Sequence, residues 1–517
     1  MKKNIIGIIL LLLFFSLESC YKNFDEIIPL GTASESVFWQ DERHAELAVN
    51  AVYRELDGHG MVSLDAITDI AYNPGMSPGG LGEIGVGNPT TSNFAVRDYW
   101  RRYMRAIRKA NDPINNIDRI PGGRAEYLNR LKAEARFLRA YYYLQVTNFW
   151  GDAPLILTPL NVGEHVGRTS KGLVVDFIID ELDDIINSNA LPISYGSSDI
   201  GRATHGAALA LKARVALYNG RWAVARDAAK AVMDLGVYEL YPNYEELFWY
   251  AGQNSSEVIF DRQYATGYST ANLIGRAGAT LGGSTAVDPL HHYVMKHERT
   301  GPENPDDPYD NLDPRFGYNV YYPGVTLPNG IIYNSWPDSP TADRIMAGEY
   351  STSYGFNLRK WIDYENDRDN PAGSTINFII IRYADVLLMY AESKIELNEI
   401  DQSVYDAINE VRQRPTVEMP PISTGKTQAE LRDIVRRERT VELAWEGLHY
   451  FDMNRWRIGQ ERAGLAQGIK YIDSETGEWR IYDRGLVRRH REDRDYLWPI
   501  PQEEMEVNEF MDQNPNY

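Results

Sequence analysis

Cysteine is almost absent from this sequence, because its 517 residues contain only one, Cys20. A single cysteine excludes an intramolecular disulfide, and a chain of this length can bury enough apolar surface to fold without one. Positive charge is also scarce, with 53 Lys and Arg against 73 Asp and Glu and a net charge of −20. So acidic a protein repels phosphate backbones and anionic lipid headgroups, which argues against nucleic acid as a partner.

Long apolar runs are missing except near the amino terminus, where residues 5–15 form one directly after a short cationic start with Lys2 and Lys3. This run is shorter than the roughly 20 residues that a transmembrane helix needs. A cationic start, a short apolar run and a small residue before Cys20 are typical of a secretory signal peptide. We predict that this signal peptide covers residues 1–19.

The end of the signal peptide, Leu17-Glu18-Ser19-Cys20, resembles the lipobox of bacterial lipoproteins, although Glu18 departs from the usual small or apolar residue. The resemblance implies cleavage before Cys20 and acylation of this residue, so Cys20 is our predicted lipid attachment site. Two membrane signals anchor a protein stably, whereas one acyl chain holds it only marginally. Asp25 and Glu26 resemble the acidic tag of some surface-exposed lipoproteins.

Apolar residues at helical spacing predict helices over residues 41–56, 97–120, 125–149 and 173–187. Two helical hairpins are predicted over 204–235 and 384–412. A shift of 179 residues aligns their small and apolar positions, which are Ala225, Ala228, Ala229 and Val232 in the first and Val404, Ala407, Ile408 and Val411 in the second. Small residues where helices cross are typical of tetratricopeptide repeats, with a generic helical hairpin as the alternative. The predicted fold is mostly α, with a tetratricopeptide-type helical scaffold.

Helical periodicity is lost between residues 249 and 375, where Gly, Pro, Asn and Tyr dominate. A structureless loop of this length is rare in a compact domain, so we predict an irregular lobe with short helices and a few strands, such as one over 377–381. Residues 72–93 form a smaller irregular insert. The predicted division is a signal peptide (1–19), an amino-terminal helical part (20–248), an irregular ligand-binding insert (249–375) and a carboxy-terminal part with the second hairpin and closing helices (376–517).

The enzyme motifs that we considered lack the context that their chemistry needs. Residues 80–85, GLGEIG, match the dinucleotide-binding G-x-G-x-x-G, but Pro78 and Pro89 flank them where a strand and a helix are required. His291, His292 and His297 do not have the spacing of a common zinc site. The acidic residues between 306 and 313 lack the order of an EF-hand calcium loop. We therefore predict no catalytic residue, metal site or cofactor.

Residues 436–456, RRERTVELAWEGLHYFDMNRW, combine an apolar stripe with many charges. The stripe contains Val441, Ala444, Trp445 and Leu448, and the charged residues Glu438, Arg439, Glu442 and Glu446 lie on other helix faces. Arg439 and Glu442 are spaced to pair at i,i+3. Charged helix faces are usually solvated or paired, so we predict that this segment locks the carboxy-terminal helix to the scaffold. Pro499-Ile500-Pro501 is predicted to be an extended chain laid over a surface.

Several longer segments are similar to those of one family. In order, they are NFWGDAPLI (148–156), RAT (202–204), DPR (313–315), IIIRYADVLLMYAES (379–393), residues 436–456 and the carboxy-terminal LWPIPQEEMEVNEFMDQNPNY. Together with the lipobox, their order and spacing resemble the SusD/RagB family of surface glycan-binding lipoproteins over essentially the whole chain. The resemblance implies a tetratricopeptide-type scaffold with an irregular lobe, an oligosaccharide ligand and no catalysis. It also implies a position at the outer face of the outer membrane, as a lid on a SusC-like TonB-dependent transporter.

A sugar ring presents an apolar C–H face and a rim of hydroxyls, which Tyr or Trp rings and polar side chains can match. Aromatic and polar residues of the two irregular segments are therefore our candidate ligand-binding residues. They are Tyr72 and Asn73 in the first segment and Tyr293, Tyr322, Tyr333, Trp336 and Asp338 in the second. Trp361 is predicted to be structural. Capture of a peptide or glycoconjugate, a lipoprotein glycoside hydrolase and a surface protein without a ligand are the alternatives.

Overall fold

The computed structural model describes residues 38–72, 80–161, 163–285, 287–348 and 350–517. The signal peptide, Cys20, the acidic pair Asp25 and Glu26, and Asn73 lie outside these ranges, so the predictions for them stay predictions. The described chain is mainly helical and also contains four two-stranded sheets. None of its helices combines the length and the apolar character that crossing a bilayer requires.

The amino-terminal part is a row of packed helices. They are α1 (Glu42–Tyr53), α2 (Leu81–Gly85), α3 (Phe94–Asn116), α4 (Ala125–Trp150), α5 (Lys171–Ser188), α6 (His205–Tyr218) and α7 (Trp222–Asp234). Helix α3 packs on α4, and the row continues through α5 and α6 to α7. The first predicted hairpin is α6 and α7, which turn at Gly220 with a φ of +69°, where the missing side chain removes the steric cost.

The other helices lie in the lobe and the carboxy-terminal part. They are α8 (His291–Lys296), α9 (Arg315–Asn319), α10 (Tyr364–Asp367), α11 (Tyr383–Glu396), α12 (Gln402–Arg412), α13 (Gln428–Glu442), α14 (His449–Arg455) and α15 (Gln502–Val507). The second predicted hairpin is α11 and α12. Helix α11 packs directly on α7, so the helical row continues across the intervening lobe. The aligned small and apolar positions of both hairpins are all buried, which agrees with the predicted tetratricopeptide-type scaffold.

Capping side chains begin several of these helices. Asn93 accepts hydrogen bonds from the backbone at the start of α3, and Thr204 and Asp401 do so for α6 and α12. Helix α13 begins with a capping box, in which Thr427 accepts from the backbone of Glu430 and the Glu430 carboxylate accepts from the backbone of Thr427. These bonds satisfy amide groups that have no partner within the helix.

The strands form antiparallel pairs. They are β1 (Ala71–Tyr72) with β3 (Asp288–Pro289), β2 (Val258–Arg262) with β6 (Phe378–Arg382), β4 (Val320–Tyr321) with β5 (Asn357–Leu358), and β7 (Gly464–Ile472) with β8 (Trp479–Arg488). The predicted strand over 377–381 is β6. In the first pair Tyr72 lies opposite Asp288, which joins the small insert to the large lobe. Residues 80–85 are the N-cap and the whole of the short helix α2. The described strand before them, β1, is antiparallel, whereas a dinucleotide site requires a parallel strand.

The helical and irregular parts share one hydrophobic core. The largest cluster of buried apolar residues extends along the sequence from Val52 to Met511 and contains side chains from each predicted part of the described chain. The irregular lobe adds a smaller cluster, which includes Ile274, Tyr321 and Tyr333. Because this cluster runs through all the predicted parts, it does not mark the division at residues 249 and 375, which stays a prediction. The shared core holds the loops in fixed positions on the helices.

The carboxy-terminal part differs from the prediction in two elements. The hairpin of β7 and β8 was not predicted, because the sequence analysis expected closing helices there. The segment 436–456 is not one continuous helix, since α13 ends at Glu442 and Trp445 has a φ of +64°. The Lys360 ammonium binds the carbonyl oxygens of Glu442 and Ala444 at 3.3 and 2.8 Å. This contact satisfies backbone groups where the helix is interrupted.

The run around Pro499, which was predicted to be extended and laid over a surface, has neither helix nor strand over residues 498–501 and is buried there. The Trp150 indole nitrogen donates to the Pro499 carbonyl at 3.0 Å, and the Trp498 backbone nitrogen donates to the Phe149 carbonyl at 2.7 Å. The Trp498 ring also packs on Phe149, with ring centroids 4.3 Å apart. The carboxy-terminal chain is thus fixed over the end of α4.

Candidate functional site

The charged residues of α13 form buried ion pairs. Glu442 accepts from Arg382 at 2.7 Å, from Arg414 at 2.9 Å and from Arg315 at 2.9 Å. The surrounding guanidinium groups lower the pKa of Glu442 despite its burial. Arg439 pairs with residues of other elements, Asp385 and Asp452, at 2.8 and 2.9 Å. The predicted pairing of Arg439 with Glu442 is therefore wrong, whereas the predicted locking of this segment to the scaffold agrees with these contacts.

Three of the predicted ligand-binding tyrosines lie in the interior. Tyr293 is completely buried, and its hydroxyl accepts from Asn319 at 2.8 Å. Tyr333 is also buried, and its hydroxyl donates to the carbonyl of Gly355 at 3.1 Å. Tyr72 is 7% exposed. Neither Tyr293 nor Tyr333 offers a ring face to solvent, so their positions do not support a ligand-binding role.

Trp361 is buried, as the sequence analysis predicts for a structural residue. It has a φ of +74° and its indole nitrogen donates to the Trp445 carbonyl at 2.9 Å. Its ring also packs on Phe248 and Phe378, with centroids 4.8 and 5.2 Å away. These contacts place Trp361, a residue of the lobe, against Phe248 of the amino-terminal part, β6 and Trp445, away from solvent.

Trp336 forms a half-buried aromatic corner with Trp479, a residue outside the predicted candidates. The two ring centroids are 6.4 Å apart and the ring planes meet at 88°. Both side chains are half-buried. The Trp479 indole nitrogen donates to the Pro305 carbonyl at 2.8 Å, which fixes that ring, whereas the Trp336 indole nitrogen has no hydrogen-bond partner in the described chain.

Tyr322 packs on aromatic rings of the irregular lobe. It is half-buried, and its ring centroid is 5.1 Å from that of Tyr309 and 5.0 Å from that of Phe316. The Tyr309 hydroxyl accepts from the backbone nitrogen of Lys470 in β7 at 3.0 Å. The hairpin of β7 and β8 therefore supports both Tyr322 and the aromatic corner.

Polar side chains accompany these rings. Asp338 is exposed two residues after Trp336, and the Lys470 ammonium lies 3.5 Å from the Glu303 carboxylate. We define the loop surface as Tyr322, Trp336 and Trp479 together with these three polar residues. Its half-exposed rings suit the apolar face of a sugar, and its charged groups suit the hydroxyl rim.

Some residues of the loop surface can be identified from the sequence, and one cannot. Trp336 and Tyr322 stand out as aromatics in Gly-, Pro- and Asn-rich loops. Trp479 lies in β8, a strand that was not predicted. Its pairing with Ile472 at the end of the hairpin and its hydrogen bond to Pro305 place its ring here. Tyr268, which is 93% exposed, was also not selected.

The histidine group does not converge on a metal site. The His297 Nδ1 contacts the Tyr293 carbonyl at 2.8 Å, and His292 instead faces Asp69 and Glu461. The ligand atoms of His292, Asp69 and Glu461 lie within 4.8 Å of one another. The Lys296 ammonium, however, lies 3.2 Å from Asp69 and 2.5 Å from Glu461. The carboxylates of Asp69 and Glu461 are therefore already paired with the positive charge of Lys296.

The acidic residues of segment 306–313 bind groups of the protein. Asp313 forms a pair with Arg315 at 2.6 Å. Asp307 accepts from the Tyr309 backbone at 2.9 Å, and Asp310 accepts from the backbone of Asn311 at 2.9 Å. These contacts give the carboxylates structural roles in a turn and a buried ion pair.

Comparison with known proteins decides the family. A family model described as the SusD family matches residues 245–517, which is more than half of the chain. This chain belongs to the SusD family. A second family model, described as starch-binding and associating with the outer membrane, matches residues 86–217 of this SusD family member.

Individual relatives agree with this assignment. The crystal structure of a SusD-like carbohydrate-binding protein from Bacteroides fragilis NCTC 9343 is 29% identical, with a TM-score of 0.83, and the match covers 92% of this chain and 99% of that one. SusD-like protein P25 from Formosa agariphila is 25% identical over 484 residues, which cover 87% of this chain and 89% of the relative. A laminarin-binding SusD-like protein shares the fold, at 22% identity and a TM-score of 0.65, over 93% of this chain and 100% of that one.

Proposed function

We propose that this SusD family protein binds oligosaccharide at the loop surface. The observation that carries the proposal is the right-angled aromatic corner of Trp336 and Trp479, whose half-exposed rings are held by packing and by a hydrogen bond to Pro305. Rings that are already fixed lose little conformational entropy when a ligand binds. The carbohydrate-binding relative from Bacteroides fragilis and the laminarin-binding relative support a saccharide as the ligand class.

We propose that the bound saccharide is not cleaved. Glycoside hydrolysis needs a carboxyl group with a raised pKa beside a second carboxyl at the scissile bond. Burial raises the pKa of Asp65 and of Asp288 to about 7. Both side chains are enclosed, and Asp288 accepts from the Thr352 hydroxyl at 2.7 Å. Neither carboxyl group can reach a glycosidic bond at the surface.

We further propose that the protein is anchored through Cys20 at the outer face of the outer membrane, where it delivers saccharide to a SusC-like TonB-dependent transporter. The lipobox-like sequence before Cys20 supports the anchor. The description of the family model that matches residues 86–217 supports the association with the outer membrane. With saccharide bound at the loop surface and no cleavage, the protein acts as a capture component ahead of transport.

Native electrophoresis in gels that contain a panel of polysaccharides tests the binding role. One of these polysaccharides is expected to retard the parent protein, while the variant carrying Trp336→Ala and Trp479→Ala migrates as it does in a gel without polysaccharide. Chromatography of the same mixtures is expected to show no released sugar. Retardation of both proteins to the same extent would contradict the site, and released sugar would contradict the absence of cleavage.

A further inference from the structure

A large cavity lies on the helical scaffold, and none of the residues of the loop surface lines it. Its volume is about 870 Å³, within the range of small-molecule sites. The end of α4, the start of α5, the turn between α6 and α7, α14 and the carboxy-terminal segment all contribute to its wall. It is therefore formed by the part of the molecule that the proposed function does not use.

Two cations in the wall of this cavity have no hydrogen-bond or ion-pair partner for their charged groups among the described residues. They are the Lys171 ammonium and the Arg457 guanidinium. The Arg457 guanidinium lies 4.4 Å from the centre of the Tyr496 ring and is otherwise exposed. Other cations in the wall are engaged, for example Arg221 with Asp176 at 2.7 Å.

The cavity wall holds six Lys and Arg against four Asp and Glu, in a chain with a net charge of −20. Burial and the positive charge of Arg457 lower the pKa of Lys171 to about 8, and the nearby Asp152 opposes this shift. The Asp152 carboxylate instead accepts from the backbone nitrogen of Lys171 at 2.8 Å, at the start of α5. Glu492, Asp493 and Asp512 also line the cavity, but their side chains are exposed to solvent, and Asp512 lies 3.6 Å from Arg168.

The cavity wall also carries groups that suit a sugar. Trp222 is half-buried and shows part of its indole ring, and Asn148 contributes an amide. An indole face suits the C–H face of a sugar ring, and an amide can donate to or accept from hydroxyls. A simple inorganic anion would use the two cations and leave these groups without a role.

We propose that this cavity is a second saccharide site, which takes a sugar unit bearing a carboxylate or sulfate group, with Lys171 and Arg457 binding the anionic group and Trp222 packing on the ring. The proposal rests on the proposed saccharide-binding role. Its residues are distinct from those of the loop surface, so an experiment can disprove one of the two sites without disproving the other.

Calorimetric titration with a trisaccharide of galacturonic acid, at low salt, tests the proposal. The comparison ligand is the same trisaccharide with its carboxylates reduced to alcohols. The parent protein is expected to bind the acidic ligand at least about tenfold more tightly, because charge-assisted hydrogen bonds exceed neutral ones by this amount. Equal affinity for the two ligands would overturn the proposal.

Variants assign the preference to the cavity. Lys171→Gln combined with Arg457→Gln is expected to remove the preference, and Lys171→Arg combined with Arg457→Lys to keep it. Lys230→Gln, at a lysine paired with Asp234 on the exposed face of α7, is the matched control and is expected to bind like the parent. If the variant with Lys171→Gln and Arg457→Gln still bound the acidic trisaccharide more tightly than the reduced one, the proposal would be overturned. Circular dichroism confirms the fold of each variant, and the charge-retaining pair tests the site even if the Gln variant does not fold.

Two further measurements separate this site from its alternatives. The variant with Trp336→Ala and Trp479→Ala is expected to keep the preference for the acidic trisaccharide, and its loss would assign the acidic ligand to the loop surface and overturn the proposal. A hexaglutamate peptide is expected to bind at least about tenfold more weakly than the trisaccharide, because it lacks a ring for Trp222. Tighter binding of the peptide would identify the cavity as a docking site for an acidic protein segment and would also overturn the proposal.

Discussion

The Arg382 guanidinium and the Glu442 carboxylate lie 2.7 Å apart with both side chains at most 1% exposed. Arg382 also pairs with Glu446 at 2.8 Å and with Glu257 at 2.8 Å, while Glu442 binds Arg414 as well. These contacts join β6 to α13 and to the start of β2. With Arg315 and Glu257 as members from the lobe, this buried set of charges connects the helical scaffold to the irregular lobe.

Removing one member of this network is expected to destabilise the fold strongly. Arg382→Met leaves buried carboxylates without their partner, which costs about 3–5 kcal/mol of the free energy of unfolding. Urea unfolding followed by tryptophan fluorescence measures the loss. The control is Arg226→Met, which breaks the exposed pair with Glu399 at 2.6 Å and is expected to cost no more than about 1 kcal/mol. Equal losses in the two variants would show that the buried network does not hold the fold.

A buried carboxyl group is expected to make stability depend on pH. Burial raises the pKa of Asp288 from 3.8 to about 7 in the folded protein. Between these pH values the folded state binds a proton that the unfolded state has lost, so the contribution of Asp288 to stability falls as the pH rises from about 4 to about 7.

Asp288→Asn removes this titration. The variant is expected to be more stable than the parent at pH 8, by on the order of 2–4 kcal/mol, and close to the parent at pH 4. The amide oxygen can still accept from Thr352, as the carboxylate does. Thermal unfolding of both proteins across this pH range measures the difference. A constant difference between pH 4 and pH 8 would exclude Asp288 as its source.

Tyr293 is expected to affect stability and not ligand binding. Tyr293→Ala leaves a cavity beside Trp445, whose ring centroid is 5.3 Å away, and is expected to cost about 3–5 kcal/mol. Tyr293→Phe removes the hydroxyl that accepts from Asn319 and donates to the Val441 carbonyl at 3.5 Å, and is expected to cost about 1–2 kcal/mol. Both folded variants should bind saccharide like the parent in the gel assay. Weaker saccharide binding by a fully folded Tyr293→Phe variant would show that Tyr293 contributes to the binding site.

The helical scaffold could be predicted because its signals are local. Helical spacing of apolar residues and small residues at helix crossings placed both hairpins, and α11 continues the row where the second hairpin was expected. The break after Glu442 was missed because it depends on a distant residue, Lys360, that binds carbonyl groups at this position. The pairing of Arg439 was missed for the same reason, since Asp385 lies far from it in the sequence.

The candidate site could be predicted only in part. A loop position does not distinguish an aromatic ring that stays exposed from one that fills the core, so Trp336 and Tyr333 had equal support in the sequence. Tyr333 is buried because its hydroxyl bonds to Gly355 and Asn357 inside the lobe. Trp479 has no local signal at all, because its position beside Trp336 results from the tertiary packing of the hairpin on the lobe.

The predicted anchor is tested by changing its attachment residue. Cys20→Ala removes the thiol on which acylation would occur. Without acyl chains, the protein is expected to move from the membrane fraction to the soluble fraction of the producing cells, because lipid chains provide the membrane affinity. Immunoblots of the separated fractions measure the distribution, with Ser34→Ala as the control substitution. Membrane retention of the Cys20→Ala variant at the parent level would exclude the lipid anchor.

The most direct test of the loop surface is calorimetry with the saccharide that retards the parent protein in the gel assay. Trp336→Ala and Trp479→Ala are each expected to weaken binding by about tenfold or more, since central aromatic contacts contribute more than 1 kcal/mol. Tyr268→Ala, which removes the 93% exposed ring of the same lobe, is expected to leave the affinity unchanged. Parent-level affinity in both tryptophan variants, with unchanged folding, would contradict the proposed saccharide site.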